Sequence, residues 1–227
     1  AIFNDMGPEL ISQIGGPDGF FFGDLKWNLD SEALLSRKIS IISSLTYGLV
    51  DNMDELKLES DSVLPHVRTD IVKYLKGSRG GLSVKRLQAN YYNQLGKSTF
   101  YKLSAGIFEQ MYSGYGGEIL YRPYEKNFGV GFELWKVFKR DFDQLFDHRD
   151  YETITGHLSL YYQEPRTNIL FSLKGGRYLA EDSGITVDFS RIFRSGLKMG
   201  AFFTLTDISF EEFGEGSFDK GFYFWIP

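Results

Sequence analysis

The sequence predicts an all-β chain, an antiparallel up-and-down transmembrane β-barrel that is complete or, since a barrel must close and the chain ends directly after a strand, a segment of a larger barrel. Three observations lead there: apolar residues at alternate positions, a surplus of aromatics, and connections that alternate in length. The alternation is clearest between Leu197 and Thr206. Leu197, Met199, Ala201, Phe203 and Leu205 fall on one face, and Lys198, Gly200, Thr204 and Thr206 on the other, with Phe202 the exception. Strand side chains point to opposite faces in turn, so this is an oily ribbon backed by a polar one. Strands of about 9–11 residues cross a bilayer core when tilted. Phe 21 and Tyr 14 help bring aromatics to 17% of the 227 residues, a surplus that girdles at two membrane interfaces would absorb.

Bulk properties narrow the class. A mean hydropathy of -0.24 is too polar for a helical membrane protein but ordinary for a barrel, which needs apolar residues only at every second position. No apolar run approaches the roughly 18 residues that a spanning helix demands. With Cys 0, disulfides and thiolate metal sites are impossible. A net charge of -5 and a pI near 5.3 argue against nucleic acid as a partner. Residues 1–227 read as one barrel domain or barrel segment. The start at Ala1 lacks a charged, apolar leader, and the end at Pro227 follows a strand directly, so a processed or excised piece of a longer chain is expected.

The elements follow in order. Phe20, Phe21 and Phe22 lead into Leu25-Lys26-Trp27-Asn28-Leu29, which alternates, and residues 39–50 are rich in β-branched and apolar side chains. Residues 51–62 are acidic and weakly patterned, a loop. Val67, Ile71, Tyr74 and Leu75 fall at helical spacing with Gly77 as a stop, which predicts one short amphipathic helix near 65–76, at a barrel mouth or in its lumen or simply on a surface loop. From Leu82 onward strands alternate with turns. The oily faces are Leu87, Ala89 and Tyr91; Tyr101, Leu103, Ala105 and Ile107; Ile119 and Tyr121; Val130, Phe132 and Leu134; Leu158, Leu160 and Tyr162; Ile169, Phe171 and Leu173; and Ile185, Val187 and Phe189. Residues 222–226 close the series. Short turns are expected near 94–98, 124–127, 164–167 and 193–196. Longer connections are expected near 139–149, 178–184 and 207–218, with a modest one near 111–114. That two-beat rhythm suits an up-and-down barrel better than a Greek-key sandwich.

Function, on this reading, lies on the polar faces. Lys102, Glu118, Arg122, Glu133, His157, Lys174, Asp188 and Lys198 point into the lumen, with mixed signs that form no selectivity ring. Lumenal charges of this kind usually pair across strands and stiffen the wall. Residues 139–150 and 211–221 are charged and aromatic. Such loops suit sugar recognition or a hard cation, although no metal-loop spacing is present and a solvated, self-pairing loop is the simpler reading. Catalysis is not expected. His157 and Ser159 share a face and could serve a membrane-embedded hydrolase, but no third orienting group and no nucleophile-elbow pattern accompany them. No cofactor and no metal are expected.

Specific strings add a family resemblance. Gly116–Pro123, Lys139–Asp143, Gly176–Gly184 and residues 211–222 resemble motifs of the YjbH-like exopolysaccharide family of bacterial outer-membrane proteins, and residues 64–71 look like a further match. The resemblance implies a bacterial outer-membrane β-barrel that supports exopolysaccharide or capsule secretion or assembly. It implies outer-membrane lipid, exopolysaccharide, a periplasmic polysaccharide export protein and other exopolysaccharide-operon products as partners. No catalytic residues come with it. Glu118, Arg122, Glu133, Arg177, Asp182 and Asp188 are the candidate lumen or glycan-contact residues. The alternatives are a general porin or envelope scaffold without glycan specificity, an outer-membrane hydrolase, and a soluble barrel.

Overall fold

The computed structural model describes residues 1–16, 19–52, 67, 70–77, 80–209 and 219–225. Its strands are β1 (Ile2–Gly16), β2 (Gly19–Leu34), β3 (Ile39–Asp51), β4 (Leu82–Leu95), β5 (Thr99–Ile107), β6 (Tyr112–Tyr121), β7 (Phe128–Arg140), β8 (His148–Gln163), β9 (Ile169–Arg177), β10 (Ser183–Ile192), β11 (Lys198–Thr206) and β12 (Asp219–Trp225). One helix, α1 (Ile71–Gly77), lies between β3 and β4. Every strand pairs antiparallel with its sequence neighbour in a single sheet ordered β1 to β12. The all-β, up-and-down order is therefore present, and so is the short helix.

Several expectations are corrected. The described sheet is not closed into a barrel: β1 and β12 are its edges, and the seven residues of β12 offer no matched ladder to the fifteen of β1. β1 to β4, β7 and β8 run for 13–16 residues rather than 9–11, because their hairpins continue past the oily stretch. The described helix starts at Ile71, and residues 65, 66, 68 and 69 of the expected helix lie outside the described residues. So do most of the expected loop at 51–62, residues 211–218 of the second charged loop, and residues 226 and 227. The modest connection falls at 108–111, with 112–114 already in β6. At one end of the sheet the turns are 35–38, 96–98, 122–127, 164–168 and 193–197. At the other, 141–147 and 207–218 are longer, while 178–182 is as tight as its opposite numbers.

The turn after β8 is built by one carboxylate. Glu164 Oε2 accepts hydrogen bonds from the backbone N–H groups of Arg166 (2.9 Å) and Thr167 (2.6 Å) and from the Thr167 hydroxyl (2.8 Å). Those Thr167 and Arg166 bonds hold the carboxyl below its usual range. A carboxylate depressed in the folded state stabilises above its unfolded pKa and loses that contribution as pH falls through the folded value. Backbone amide exchange at residues 165–168 is therefore expected to rise as pH drops below about 4, and Glu164→Gln should bring the same rise at neutral pH. Exchange that is flat with pH and unchanged by Glu164→Gln would contradict this.

Burial runs opposite to that of a water-soluble core. The buried side chains include Asp24, Lys26, Ser40, Gln88, Asn90, Ser104, Thr155, His157, Ser159 and Ser190, all on one face of the sheet. The other face exposes Leu103, Phe132, Leu134, Leu158, Leu160, Phe171 and Leu173, each 43–53% accessible. Ser40, Asn90 and Ser104 stand opposite one another on β3, β4 and β5. Asn90 Oδ1 accepts from Ser104 at 2.7 Å, and Asn90 Nδ2 donates to Ser40 at 3.4 Å.

The sheet curls with its polar face inward. α1 bridges the curl: Val72 and Leu75 pack on Phe22 of β2, and Tyr74 packs with Met111, Tyr112 and Val137 at β6 and β7. β2 and β6 are four strand steps apart, about 19 Å along a sheet at about 4.8 Å per step, yet one helix of about 10 Å diameter spans the gap. Glycines on the inner face allow the bend. A methyl on Gly116 would sit 2.6 Å from the Trp135 ring directly opposite, and one on Gly221 would sit 2.8 Å from Phe202. Phe202, the exception in the sequence alternation, thus lies on the polar face because Gly221 leaves room for its ring. Ile107 departs the other way: expected on the oily face, it is 7% accessible at the end of β5.

Candidate functional site

The inner face carries one continuous polar belt. Lys102 of β5, Glu118 of β6, Glu133 of β7 and His157 of β8 stand directly opposite one another, and Lys174 of β9 is one pair along, opposite Ser159. Two glutamates facing each other would repel. Each has its own cation: Lys102 Nζ lies 2.8 Å from Glu118, and Lys174 ion-pairs with Glu133. His157 Nδ1 is 2.9 Å from the same Glu133 oxygen. The Tyr178 ring meets His157 edge-on at 4.6 Å, its hydroxyl is 2.7 Å from Thr186 Oγ1, and Thr186 is 2.9 Å from Thr204. Farther on, the Tyr223 hydroxyl donates to Asp188 at 2.9 Å across β11.

The six candidates separate by position. Glu118 and Glu133 are brought together in the belt. Asp188 is tied to Tyr223. Arg177 pairs with Glu181 at 3.0 Å and is exposed at the end of β9. Asp182 is buried in the next turn, and its Oδ1 has no hydrogen-bond partner among the described residues. Arg122 stands at the opposite end, in the turn after β6, exposed and without an ion pair among the described residues. His157 Nε2 has no hydrogen-bond partner either, so it does not contact Ser159. A Ser–His contact exists elsewhere: Ser113 Oγ is 2.5 Å from His148 Nε2, with no carboxylate on the other ring nitrogen among the described residues.

Beside the belt lie two cavities that share Glu133. One, of about 380 Å³, faces Gln88, Lys102, Trp135, His157, Lys174 and Tyr178 toward the α1 end. The other, of about 320 Å³, faces Arg122, Lys126, Asn127, Ser159, Tyr161 and Gln163 toward the turn after β6.

The α1 end is tied together by buried polar contacts. Lys139 and Asp70 form a buried ion pair at 2.6 Å. The Tyr74 hydroxyl donates to the Arg140 carbonyl at 2.6 Å, and Gln144 Nε2 donates to the Tyr74 carbonyl at 2.6 Å. Burial, reinforced by the Asp70 charge, pushes the Tyr74 phenol up, so it keeps its donor proton. Arg140, 1% accessible, donates to the carbonyls of Glu109, Gln110, Gln144 and Leu145. This corrects the reading of residues 139–150 as a solvated loop. Its outer part keeps that character: the Phe142 amide and Arg149 hold the Asp141 carboxyl below its usual range. Among the described residues no group of three or more acidic or imidazole side chains could hold a metal ion.

The outer face has bounds as well. Phe128, Tyr162 and Phe171 stand opposite one another near the short turns. Near the other end Trp27 faces Tyr47, Tyr115 lies 6.3 Å from Phe138, and Lys136 pairs with Glu152 at 2.7 Å. Between these rows the outward side chains of β7 are Val130, Phe132 and Leu134.

Fold and site together define a curved, meandering antiparallel sheet with a polar hollow and an apolar outside. The family described as exopolysaccharide biosynthesis protein YbjH matches residues 3–227. The chain is 34% identical over 97% of its length to the protein named "Uncharacterized lipoprotein YjbH" of Escherichia coli (strain K12), and spans 32% of that relative's length. The chain belongs to the YjbH exopolysaccharide biosynthesis family.

Proposed function

We propose that the chain forms part of the wall of a bacterial outer-membrane β-barrel that supports exopolysaccharide secretion or assembly, with lipid against its convex face and glycan in its concave hollow. The inverted burial carries this reading. Large exposed apolar surfaces mark contact with something other than water, and here they lie on the face opposite the buried polar side chains. The nine residues from Phe128 to Lys136 run about 27 Å along β7 at about 3.4 Å per residue. At a tilt of about 40° that is about 20 Å of height, comparable with the ~25 Å apolar band of outer-membrane barrels. Aromatic rows at both rims suit girdles at two interfaces. That the E. coli relative is named a lipoprotein supports an envelope setting. The belt from Lys102 to Thr204 stiffens the wall, and the role is binding or conduction rather than catalysis, with a periplasmic export protein and the other exopolysaccharide-operon products as partners.

Cysteine labelling tests the arrangement cleanly, since the chain has Cys 0. Leu173 and Leu205 are outward, and Ser172 and Thr204 are their inward neighbours. In membranes, cysteine at 172 or 204 is expected to react with a water-soluble maleimide. Cysteine at 173 or 205 should react only with a lipid-soluble one. Equal reactivity toward the water-soluble reagent on both faces would remove the bilayer from the account.

A further inference from the structure

The two cavities that share Glu133 differ in how their polar groups are occupied. Around the one near α1, Lys102, Glu133, His157, Lys174 and Tyr178 are engaged with one another or with neighbouring strands. Around the one beside the β6–β7 turn, no hydrogen bond or ion pair among the described residues engages the side chains of Arg122, Lys126, Asn127, Ser159, Tyr161 or Gln163. Polar side chains grouped about a hollow and left without internal partners are hydrogen-bonding capacity held for something else.

Charge selects what that is. Glu118 and Glu133 also face this cavity, but each is neutralised by its lysine. The uncompensated charges are the Arg122 guanidinium and the Lys126 ammonium. Shape adds a second restriction. Gly129 and Gly131 have no side chains, and the Tyr161 ring lies against them, 3.3 Å from where a methyl on Gly131 would be. Leu120 and Leu170 complete an apolar floor. An aromatic and aliphatic floor under amide, hydroxyl and cationic groups fits a ring with one apolar face, several hydroxyls and a negative charge.

We propose that this cavity binds a carboxylate-bearing sugar residue, with Arg122 and Lys126 holding the carboxylate, Asn127, Ser159 and Gln163 meeting hydroxyls, and Tyr161 underlying the ring. The assignment rests on the glycan reading above and narrows it to acidic polymers. Charge-assisted hydrogen bonds, about twice as strong as neutral ones, make the carboxylate the discriminating group.

The test uses the full-length protein in detergent, titrated calorimetrically with trigalacturonic acid, maltotriose and inorganic phosphate. Trigalacturonic acid should bind at least about tenfold more tightly than maltotriose, and Arg122→Gln or Tyr161→Ala should each weaken it by about tenfold or more. Arg122→Lys, which keeps the charge, should weaken it less than Arg122→Gln. Heat-dependent gel mobility checks that each variant assembles, and Lys126→Gln serves as a second probe if Arg122→Gln does not. Equal affinity for maltotriose, affinity indifferent to both cation substitutions, or displacement by phosphate as effective as by the uronate would each overturn the proposal. Absence of binding by any oligosaccharide, with the cysteine-accessibility pattern intact, would sink this site and leave the barrel wall standing.

Discussion

Replacing Arg140 with alanine is expected to destabilise the protein by about 3–5 kcal/mol, the range for removing one partner from a buried charged group with several hydrogen bonds. Its guanidinium reaches Glu109 and Gln110 at 2.8 and 3.2 Å and Gln144 and Leu145 at 2.6 and 2.7 Å. One side chain therefore fastens the 108–111 connection to the 141–147 connection. Its removal takes the guanidinium from the carbonyls of Glu109, Gln110 and Leu145, whereas the Gln144 carbonyl keeps the Val84 amide and the Tyr74 hydroxyl keeps the residue-140 backbone carbonyl. Arg140→Lys should recover little, because a single ammonium cannot reproduce a planar fork with five donors. Urea titration of the refolded protein measures both variants. A loss of less than about 1 kcal/mol in Arg140→Ala, within the range of an ordinary surface substitution, would mean that the two connections hold without it.

The second large effect concerns Leu158. It lies mid-strand on the outward face, 53% accessible, opposite Phe132 of β7 and Gly175 of β9. Leu158→Arg is expected to destabilise by about 2–4 kcal/mol in a bilayer, the cost of an arginine near the midplane. The same substitution in a water-soluble sheet would be nearly free, since the site is already open. Comparing folded fractions in lipid vesicles for Leu158→Arg and Leu158→Gln separates charge from lost apolar contact. If both variants fold as well as the parent, the outward face does not meet hydrocarbon.

Strand faces were the legible part of this chain, and for a physical reason: a period of two survives in the sequence whatever the sheet does later. Leu87 and Ala89 against Gln88 and Asn90, or Leu158 and Leu160 against His157 and Ser159, could be assigned without coordinates. Register could not. That Glu133 sits between Glu118 and His157 depends on how two hairpins close, and nothing local marks it. Arg140 was illegible for the same reason in stronger form, because its acceptors come from four residues in two connections. A string such as Lys139-Arg140-Asp141 looks solvated until those carbonyls arrive. The aromatic exception at Phe202 held its explanation nineteen residues away, in Gly221, which only pairing of β11 with β12 reveals. The candidates near turns were found as charges, but not that Arg177 and Asp182 stand together at the β9–β10 turn while Arg122 lies at the opposite end of the sheet.

The packing around α1 makes the two openings of the hollow unequal. Tyr74, Gln144, Arg140 and the Lys139–Asp70 pair knit one of them together, whereas the opening beside the β6–β7 turn is lined by groups still able to accept or donate. If the hollow takes a polymer as proposed, the free polar groups beside the β6–β7 turn are where it would be held. On the proposed reading the unequal ends would decide where a polymer is first held, while its net direction of travel would still come from a gradient or an energy source.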